Sequence, residues 1–444
     1  MKRKIEQTLE QWKADARRKP IVLKGCRQCG KTYSVMDFAR KHYRTVFYVN
    51  FMDEPDMKRA FSGSMSVDQI TMRLTAAKPS VSLIPHESCI VLDELQECPR
   101  ARMALKSFAM DGRYDVLCTG SLLGIQGYRP QNETDENIKA DIPVGYEDIV
   151  TMYPMDFEEF LWANGQNETS IGLIEESFRQ EGVVEDFWHQ LFRSLLLQYI
   201  VVGGMPEAVQ TFVSQHDMGQ VLRVQRRIVQ DYRADMLKYA PQELKPLITE
   251  SFDSIPIQLS RENKKFMYST IRTGARSKNY RPTIQWMEDA GIIQRCRNLQ
   301  ITELPLDGNA IDDCYKVYMA DTGLFVSMLE DGTQADILSG NLLGYKGAIY
   351  ENLLADILGK MGRKLYYFHK DGGLEIDFIL RYKGKCTLLE CKAKSGHTKS
   401  TRTVLNNPEH YNIHQALKLD DYNVGRDGKL LTLPLYMAFL LKDL

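Results

Sequence analysis

Apolar positions change their period several times along the 444-residue chain, and each change marks an element. Ile5, Leu9 and Trp12 recur at helical spacing until Pro20 forbids continuation, so a helix precedes the strand Ile21-Val22-Leu23. Short β-branched runs at 46–49, 89–92 and 116–118 then alternate with amphipathic stretches at 34–43 and 101–110. Strand-type and helix-type runs in alternation predict an α/β fold built on a parallel sheet. The polar stretch 126–138 predicts a mobile loop. Helical spacing dominates 154–240, broken most strongly at Gly203-Gly204-Met205-Pro206. From 255 to 306 short helical segments lead into the apolar strand Gly291-Ile292-Ile293-Gln294-Arg295-Cys296, an order that predicts a winged helix-turn-helix. A helix at 350–360 and strands at 365–369, 375–381 and 386–391 return to mixed α/β. No internal repeat or low-complexity tract is visible.

A chain of this length exceeds what one hydrophobic core usually supports. The pattern divides it into an α/β core at 1–153, a helical subdomain at 154–245, a winged helix at 246–335 and a C-terminal α/β domain at 336–444.

The first strand runs into Gly25-Cys26-Arg27-Gln28-Cys29-Gly30-Lys31-Thr32, which satisfies G-x-x-x-x-G-K-[ST] at every position, and Tyr33 follows in the opening turn of a helix. The two glycines let the backbone curl so that successive N–H groups point inward, and the helix adds its positive end. Lys31 would reach the β- and γ-phosphates of ATP, and the Thr32 hydroxyl would ligate Mg²⁺. The buried run Cys89-Ile90-Val91-Leu92 ends at Asp93-Glu94, where Asp93 would hold magnesium and Glu94 would polarise the attacking water. Val116-Leu117-Cys118 runs into Thr119-Gly120-Ser121, where Ser121 is a candidate γ-phosphate sensor and a plain turn is the alternative. Cys26 and Cys29 form Cys-x-x-Cys inside the cradle; without a second pair at zinc spacing they read as loop filler, with redox or zinc chemistry as the alternative.

Near the end, Glu375-Ile376-Asp377-Phe378 and Leu389-Glu390-Cys391-Lys392 flank a turn at Lys383-Gly384. Residues two apart on a strand share a face, so Glu390 and Lys392 project together, and pairing can bring Asp377 beside them. Two carboxylates, Asp377 and Glu390, can hold Mg²⁺ on a phosphodiester while Lys392 orients water, with Glu351 as a further candidate ligand. Alternating charged strands paired in salt bridges produce the same pattern.

Composition narrows the classes. Hydrophobic residues at 43% and charged residues at 26% exclude disorder and collagen-like repeats. The longest apolar run, 195–202, is interrupted by Gln198 and is far shorter than the ~20 residues that cross a bilayer. The charged start and nine scattered cysteines predict a soluble cytoplasmic protein with free thiols and no membrane partner. A net charge of -1 exerts no global pull on DNA. The local run Arg261, Lys264, Lys265, Arg272, Arg276, Lys278, Arg281, with Glu262 as its one acid, fits either a solvated helix face or a nucleic-acid contact through Arg272, Arg276, Lys278 and Arg281.

These residues resemble the prokaryotic AAA-type ATP-binding proteins that carry a C-terminal domain of unknown function with a restriction-endonuclease-like fold. The resemblance spans nearly the whole chain: the cradle, Leu92-Asp93-Glu94, Thr119-Gly120-Ser121, Tyr153-Pro154-Met155-Asp156-Phe157-Glu158-Glu159-Phe160-Leu161, Gly203-Gly204-Met205-Pro206-Glu207, Asp321-Thr322-Gly323-Leu324, Gly347-Ala348-Ile349-Tyr350-Glu351-Asn352, Glu375-Ile376-Asp377-Phe378 and Glu390-Cys391-Lys392. It implies an AAA-type sheet with a helical lid, a winged helix and a nuclease-like end. It also implies an ATP site at Lys31, Thr32, Asp93 and Glu94, and a second acidic site at Glu351, Asp377, Glu390 and Lys392. The chain departs from the family at Gly145-Tyr146, where many relatives carry a basic residue after the glycine. The expected function is an ATPase coupling its nucleotide cycle to DNA engagement, with further copies of the chain as candidate partners. The alternative is a nucleotide-dependent switch with an inert end domain.

Overall fold

A computed structural model describes residues 1–122, 145–261, 264–341, 346–370, 373–392 and 399–442. The polar stretch 126–138 and Glu262 lie outside them.

Five strands form the first sheet: β1 (Ile21–Gly25), β2 (Thr45–Asn50), β3 (Ser88–Asp93), β4 (Asp115–Ser121) and β5 (Asp148–Met152). They run parallel in the order β2-β3-β4-β1-β5, so β1 lies between the middle strand β4 and the edge strand β5. Alternate residues divide between the two faces, as the two-residue period of a strand requires. Val22, Phe47, Val49, Ile90, Leu92, Val116 and Cys118 pack against helices Val67–Ala77 and Pro99–Asp111. Ile21, Leu23, Cys89, Val91 and Leu117 pack against helices Lys4–Ala14 and Lys31–His42. Both faces being covered explains why the inner strands read as near-continuous apolar runs. The edge strand β5 is largely half-buried and carries no such run.

Most of the rest of the chain shares one larger core, extending from Met155 to Leu441, and a smaller separate cluster around Tyr366, Phe368, Ile379 and Leu388 lies against the second sheet. Helices between 157 and 289 are followed by the hairpin β6 (Ile293–Leu299) and β7 (Ala310–Met319). Beyond it come β8 (Leu365–Lys370), β9 (Leu374–Tyr382), β10 (Lys385–Cys391), β11 (Ala416–Asp420), β12 (Gly425–Asp427) and β13 (Leu430–Pro434). All eight form one mixed sheet in the order β12-β13-β11-β10-β9-β8-β6-β7. Strand β6 runs parallel to β8 through Cys296 opposite Leu365. The boundary expected at 335/336 falls between β7 and β8, which belong to this one sheet. The physical reason is the largely buried β6, whose free edge would stand open without β8 beside it.

Several of the quoted motifs meet at one joint. The Lys360 side chain is 2% exposed, with its Nζ 2.7 Å from Asp356 Oδ1 and 3.5 Å from Asp321 Oδ2. It also donates to the Tyr199 hydroxyl at 2.9 Å and to the Met155 carbonyl at 3.1 Å. The Gly204 N–H donates to Asp321 Oδ2 at 2.7 Å. A Cβ on Gly204 would lie 1.9 Å from the Met155 carbonyl oxygen, so only glycine lets the two backbones meet. Segments 153–161, 203–207 and 321–324 thus tie the end of the first sheet to the second body. Among the described residues no helix is long and apolar enough to cross a membrane.

Candidate functional site

The loop 25–32 leaves β1 at the C-terminal edge of the first sheet, where open α/β sheets bind ligands. Gly25 is fixed there by crowding: a Cβ would fall 2.3 Å from the Met152 carbonyl oxygen of β5 and 2.9 Å from Cys29 Sγ. Lys31 is buried and spans the loop, its ammonium donating to the Cys26 carbonyl at 2.8 Å and the Gly25 carbonyl at 3.2 Å. The Thr32 hydroxyl donates to Asp93 at 3.1 Å from each carboxylate oxygen. The P-loop and the end of β3 are therefore one site.

Asp93 is the hub. It is 3% exposed and accepts from the Tyr48 hydroxyl at 2.8 Å, from the Glu94 N–H at 3.2 Å and from the Thr119 hydroxyl. Burial and the neighbouring Asp93 carboxylate push the Tyr48 phenol well above its ordinary range. Glu94 accepts from the Gln96 amide at 2.5 Å. Glu94 and Ser121 line a cleft of about 460 Å³ together with Arg27, Gln28, Gly30, Lys31, Thr32 and Tyr33. That volume lies within the range of small-ligand clefts. A helix N-terminus, a lysine, a hydroxyl and a carboxylate converging there are the donor set a magnesium–triphosphate needs. Tyr48 and Thr119 escaped sequence reasoning. Thr119 could have been found, since it is two residues from Ser121 on β4 and shares its face; Tyr48 depends on the pairing of β2 with β3.

The far wall of the cleft also went unread. Asp231, Ala234 and Asp235 reach it from the lid helix Met218–Tyr239. The cradle cysteines are both buried thiols. A hydrogen bond with Cys26 and the nearby Lys31 and Arg3 cations hold the Cys29 thiol down to about 6 against its burial, while Cys26 is pushed up.

In the second sheet, Glu351, Asp377, Glu390 and Lys392 do come into one region, but as separately satisfied groups. Glu351 pairs with Lys264, lies 3.4 Å from Lys316 and accepts from the Tyr318 hydroxyl at 2.9 Å. Burial alone would raise its pKa, but Lys316 and Lys264 outweigh it and hold the carboxyl at about 2. Glu390 pairs with Lys392 at 2.8 Å and accepts from the Thr401 hydroxyl. Asp377 accepts from the Cys391 N–H at 2.9 Å; burial first, then Glu351, raise its pKa to about 6. Among the described residues no group of three or more His, Cys, Asp or Glu side chains is placed to hold a metal ion. Asp377 and Glu390 are thus not drawn into one three-carboxylate ligand set with Glu351, because each carboxylate has found its own donor.

Arg272, Arg276, Lys278 and Arg281 are all exposed, at and before the start of helix Ser277–Asp289. Arg281 pairs with Asp313 of β7 at 2.7 Å, and Arg272 lies 3.8 Å from Glu250.

Three family models match the chain: an AAA domain over residues 17–161, a domain of unknown function (DUF8612) over 193–335, and another (DUF4143) over 346–436. No curated protein matches. Among solved structures the chain is similar to the Walker-type ATPase PABY2304 of Pyrococcus abyssi, at 13% identity and a TM-score of 0.41 over 74% of this chain and 95% of that one. It is also similar to the ORC1 protein of Aeropyrum pernix, solved in complex with DNA, at 12% identity and a TM-score of 0.29 over 76% and 90%. The cradle with its Asp93 hub and the matching model together make the N-terminal part an AAA-type P-loop nucleotide-binding domain.

Proposed function

We propose that the chain is a magnesium-dependent ATPase whose nucleotide state is transmitted through the helical lid to a DNA-binding winged helix and a nuclease-like end. The observation that carries the reading is the Thr32–Asp93 contact at 3.1 Å in the same site as Lys31 and Glu94. Bound Mg-ATP supplies the phosphoryl group and the charge that neutralises it. Lys31 and the N–H groups of the loop bind the phosphates; Thr32 and Asp93 hold the metal; Glu94 orients a water and takes its proton; Ser121 positions the γ-phosphate. The order of helix Lys245–Ser260, helix Tyr268–Ile271, helix Ser277–Asp289 and the β6–β7 hairpin supports the winged-helix reading. Its exposed Arg272, Arg276, Lys278 and Arg281 are the proposed DNA contacts.

Phosphate release by the purified full-length protein tests the enzyme. Wild type should release phosphate only with magnesium. Lys31→Ala should lose nucleotide binding, and Glu94→Gln should bind but turn over about 10²–10⁴-fold more slowly. Full activity in Lys31→Ala would refute the assignment.

A second reading, in which the end domain recognises a partner without cutting, is favoured by the ion-paired state of Glu351 and Glu390. Magnesium-dependent DNA cleavage that disappears in Asp377→Ala would decide for the nuclease, and its absence in wild type for the switch.

A further inference from the structure

The lid helix Met218–Tyr239 lies directly on the phosphate loop. Arg27 Nε is 2.7 Å from Asp235 Oδ2, and the Arg27 guanidinium donates to the Tyr239 hydroxyl at 2.9 Å. Gln28 donates its amide to Asp231 Oδ2 at 2.8 Å, and the Tyr232 hydroxyl donates to the Arg27 carbonyl at 3.3 Å. Both variable side chains in the middle of the cradle are therefore held by lid carboxylates. Those carboxylates also line the cleft that Lys31, Thr32 and Glu94 line.

A polyphosphate entering this cleft meets two anions on its far wall, and like charges at short range in a partly dry cleft repel strongly. It also meets a guanidinium already engaged by a carboxylate, although the planar fork of arginine fits phosphate as well as it fits carboxylate. The arrangement is one of competition for Arg27 and Gln28. Burial raises the pKa of Asp235, with Arg27 and Lys238 opposing and Asp231 and Glu94 adding to the rise.

The same helix is bound to the second body elsewhere along its length. Gln225 donates to the Val201 and Val202 carbonyls at 2.7 and 2.9 Å, and Arg233 lies 2.8 Å from Asp253 on helix Lys245–Ser260. A change at Asp235 thus reaches the helices that precede the β6–β7 hairpin.

We propose that Asp231 and Asp235 are positioning residues of the nucleotide site: they hold Arg27 and Gln28 in the lid-docked arrangement, and phosphate competes with them, so nucleotide binding and lid docking oppose each other. This rests on the assignment of the cleft as the nucleotide site. By the reciprocity of coupled equilibria, weakening the lid contact must strengthen nucleotide binding by the same factor that nucleotide weakens the lid contact.

Fluorescence titration of the full-length chain with a methylanthraniloyl ATP and magnesium reads the first direction. The Asp231→Asn, Asp235→Asn double variant should bind on the order of tenfold more tightly than wild type. Hydrogen exchange on the unaltered protein reads the second. Magnesium-ADP should speed exchange over residues 227–239 of the lid helix. Unchanged or weaker affinity in the double variant, or added protection of the lid helix with nucleotide, overturns the competition while leaving the nucleotide site intact. Binding by the variant alone supports it in its strongest form. Absence of binding in both proteins overturns the nucleotide assignment itself, and this inference with it.

Discussion

Replacing Asp93 by asparagine perturbs a group that joins the cradle to β2, β3 and β4. Its two oxygens accept from three hydroxyls, those of Thr32, Tyr48 and Thr119, and from the Glu94 N–H. Asparagine keeps the volume and one oxygen, but turns the other position into a donor facing donors. Hydrogen bonds to a charged acceptor contribute about 1.5–3 kcal/mol each, and hydroxyls can rotate to accept from the new amide, so the net loss of stability should be about 1–3 kcal/mol. The functional loss is separable. On the proposed function Asp93 would serve magnesium together with the Thr32 hydroxyl it accepts from, and loss of a partner that orients a metal ligand typically lowers metal affinity ~10–100-fold. Phosphate release titrated against magnesium, with thermal unfolding of the same preparation, measures both. The magnesium requirement should rise by about that factor while the protein stays folded, and Tyr48→Phe should lose stability without moving the magnesium curve. An Asp93→Asn protein with normal activity and an unshifted magnesium curve would refute the idea that this carboxylate serves the cradle.

Three other outcomes follow from the described contacts. Lys360→Met should destabilise by about 3–5 kcal/mol, because it leaves Asp356 and Asp321 buried without their cation; chemical unfolding checks it. Asp377→Asn should be stabilising in a pH-dependent way. The folded-state pKa of Asp377 is raised to about 6 from an ordinary 3.8, so its contribution to stability is intact below pH 3.8 and is lost as pH rises through 6. The variant's advantage should grow by about 1–3 kcal/mol between pH 4 and pH 8, and a pH-independent difference in unfolding midpoints would contradict it. On the proposed function, Arg276→Ala with Arg281→Ala should weaken DNA binding across sequences and reduce the salt slope by about 1 for each phosphate no longer neutralised, measured by anisotropy at several salt concentrations.

What could be read from the residues was whatever chemistry is local along the chain. The cradle is eight consecutive residues, and Asp93-Glu94 announces itself because four apolar residues precede it, so both were legible. The helical and strand periods placed β1 to β4 and β8 to β10 correctly, because those strands carry runs of buried β-branched, aromatic or leucine side chains. Strand β5, half-buried at the sheet edge, and β11 to β13 carry weaker patterns and were missed. Tyr48 was missed for a different reason: it reaches Asp93 only through the register that pairs Asn50 with Asp93, and register is a tertiary fact.

The same limit separates the two carboxylate sites. Alternation predicted that Glu390 and Lys392 would project together, and they do, at 2.8 Å. It could not predict that Lys264 and Lys316, from before and within the hairpin, would reach Glu351, because nothing local to Glu351 encodes the joining of β6 to β8. That joining makes the hairpin and the C-terminal strands a single sheet, and the joint at Lys360 ties this sheet to the end of the P-loop sheet. A lid helix clamped on Arg27 and Gln28 at one point and on Asp253 at another then has few ways to move alone. On the proposed function, displacing it at the cradle would act through Arg233 on Asp253 of helix Lys245–Ser260, ahead of the hairpin whose Lys316 faces Glu351.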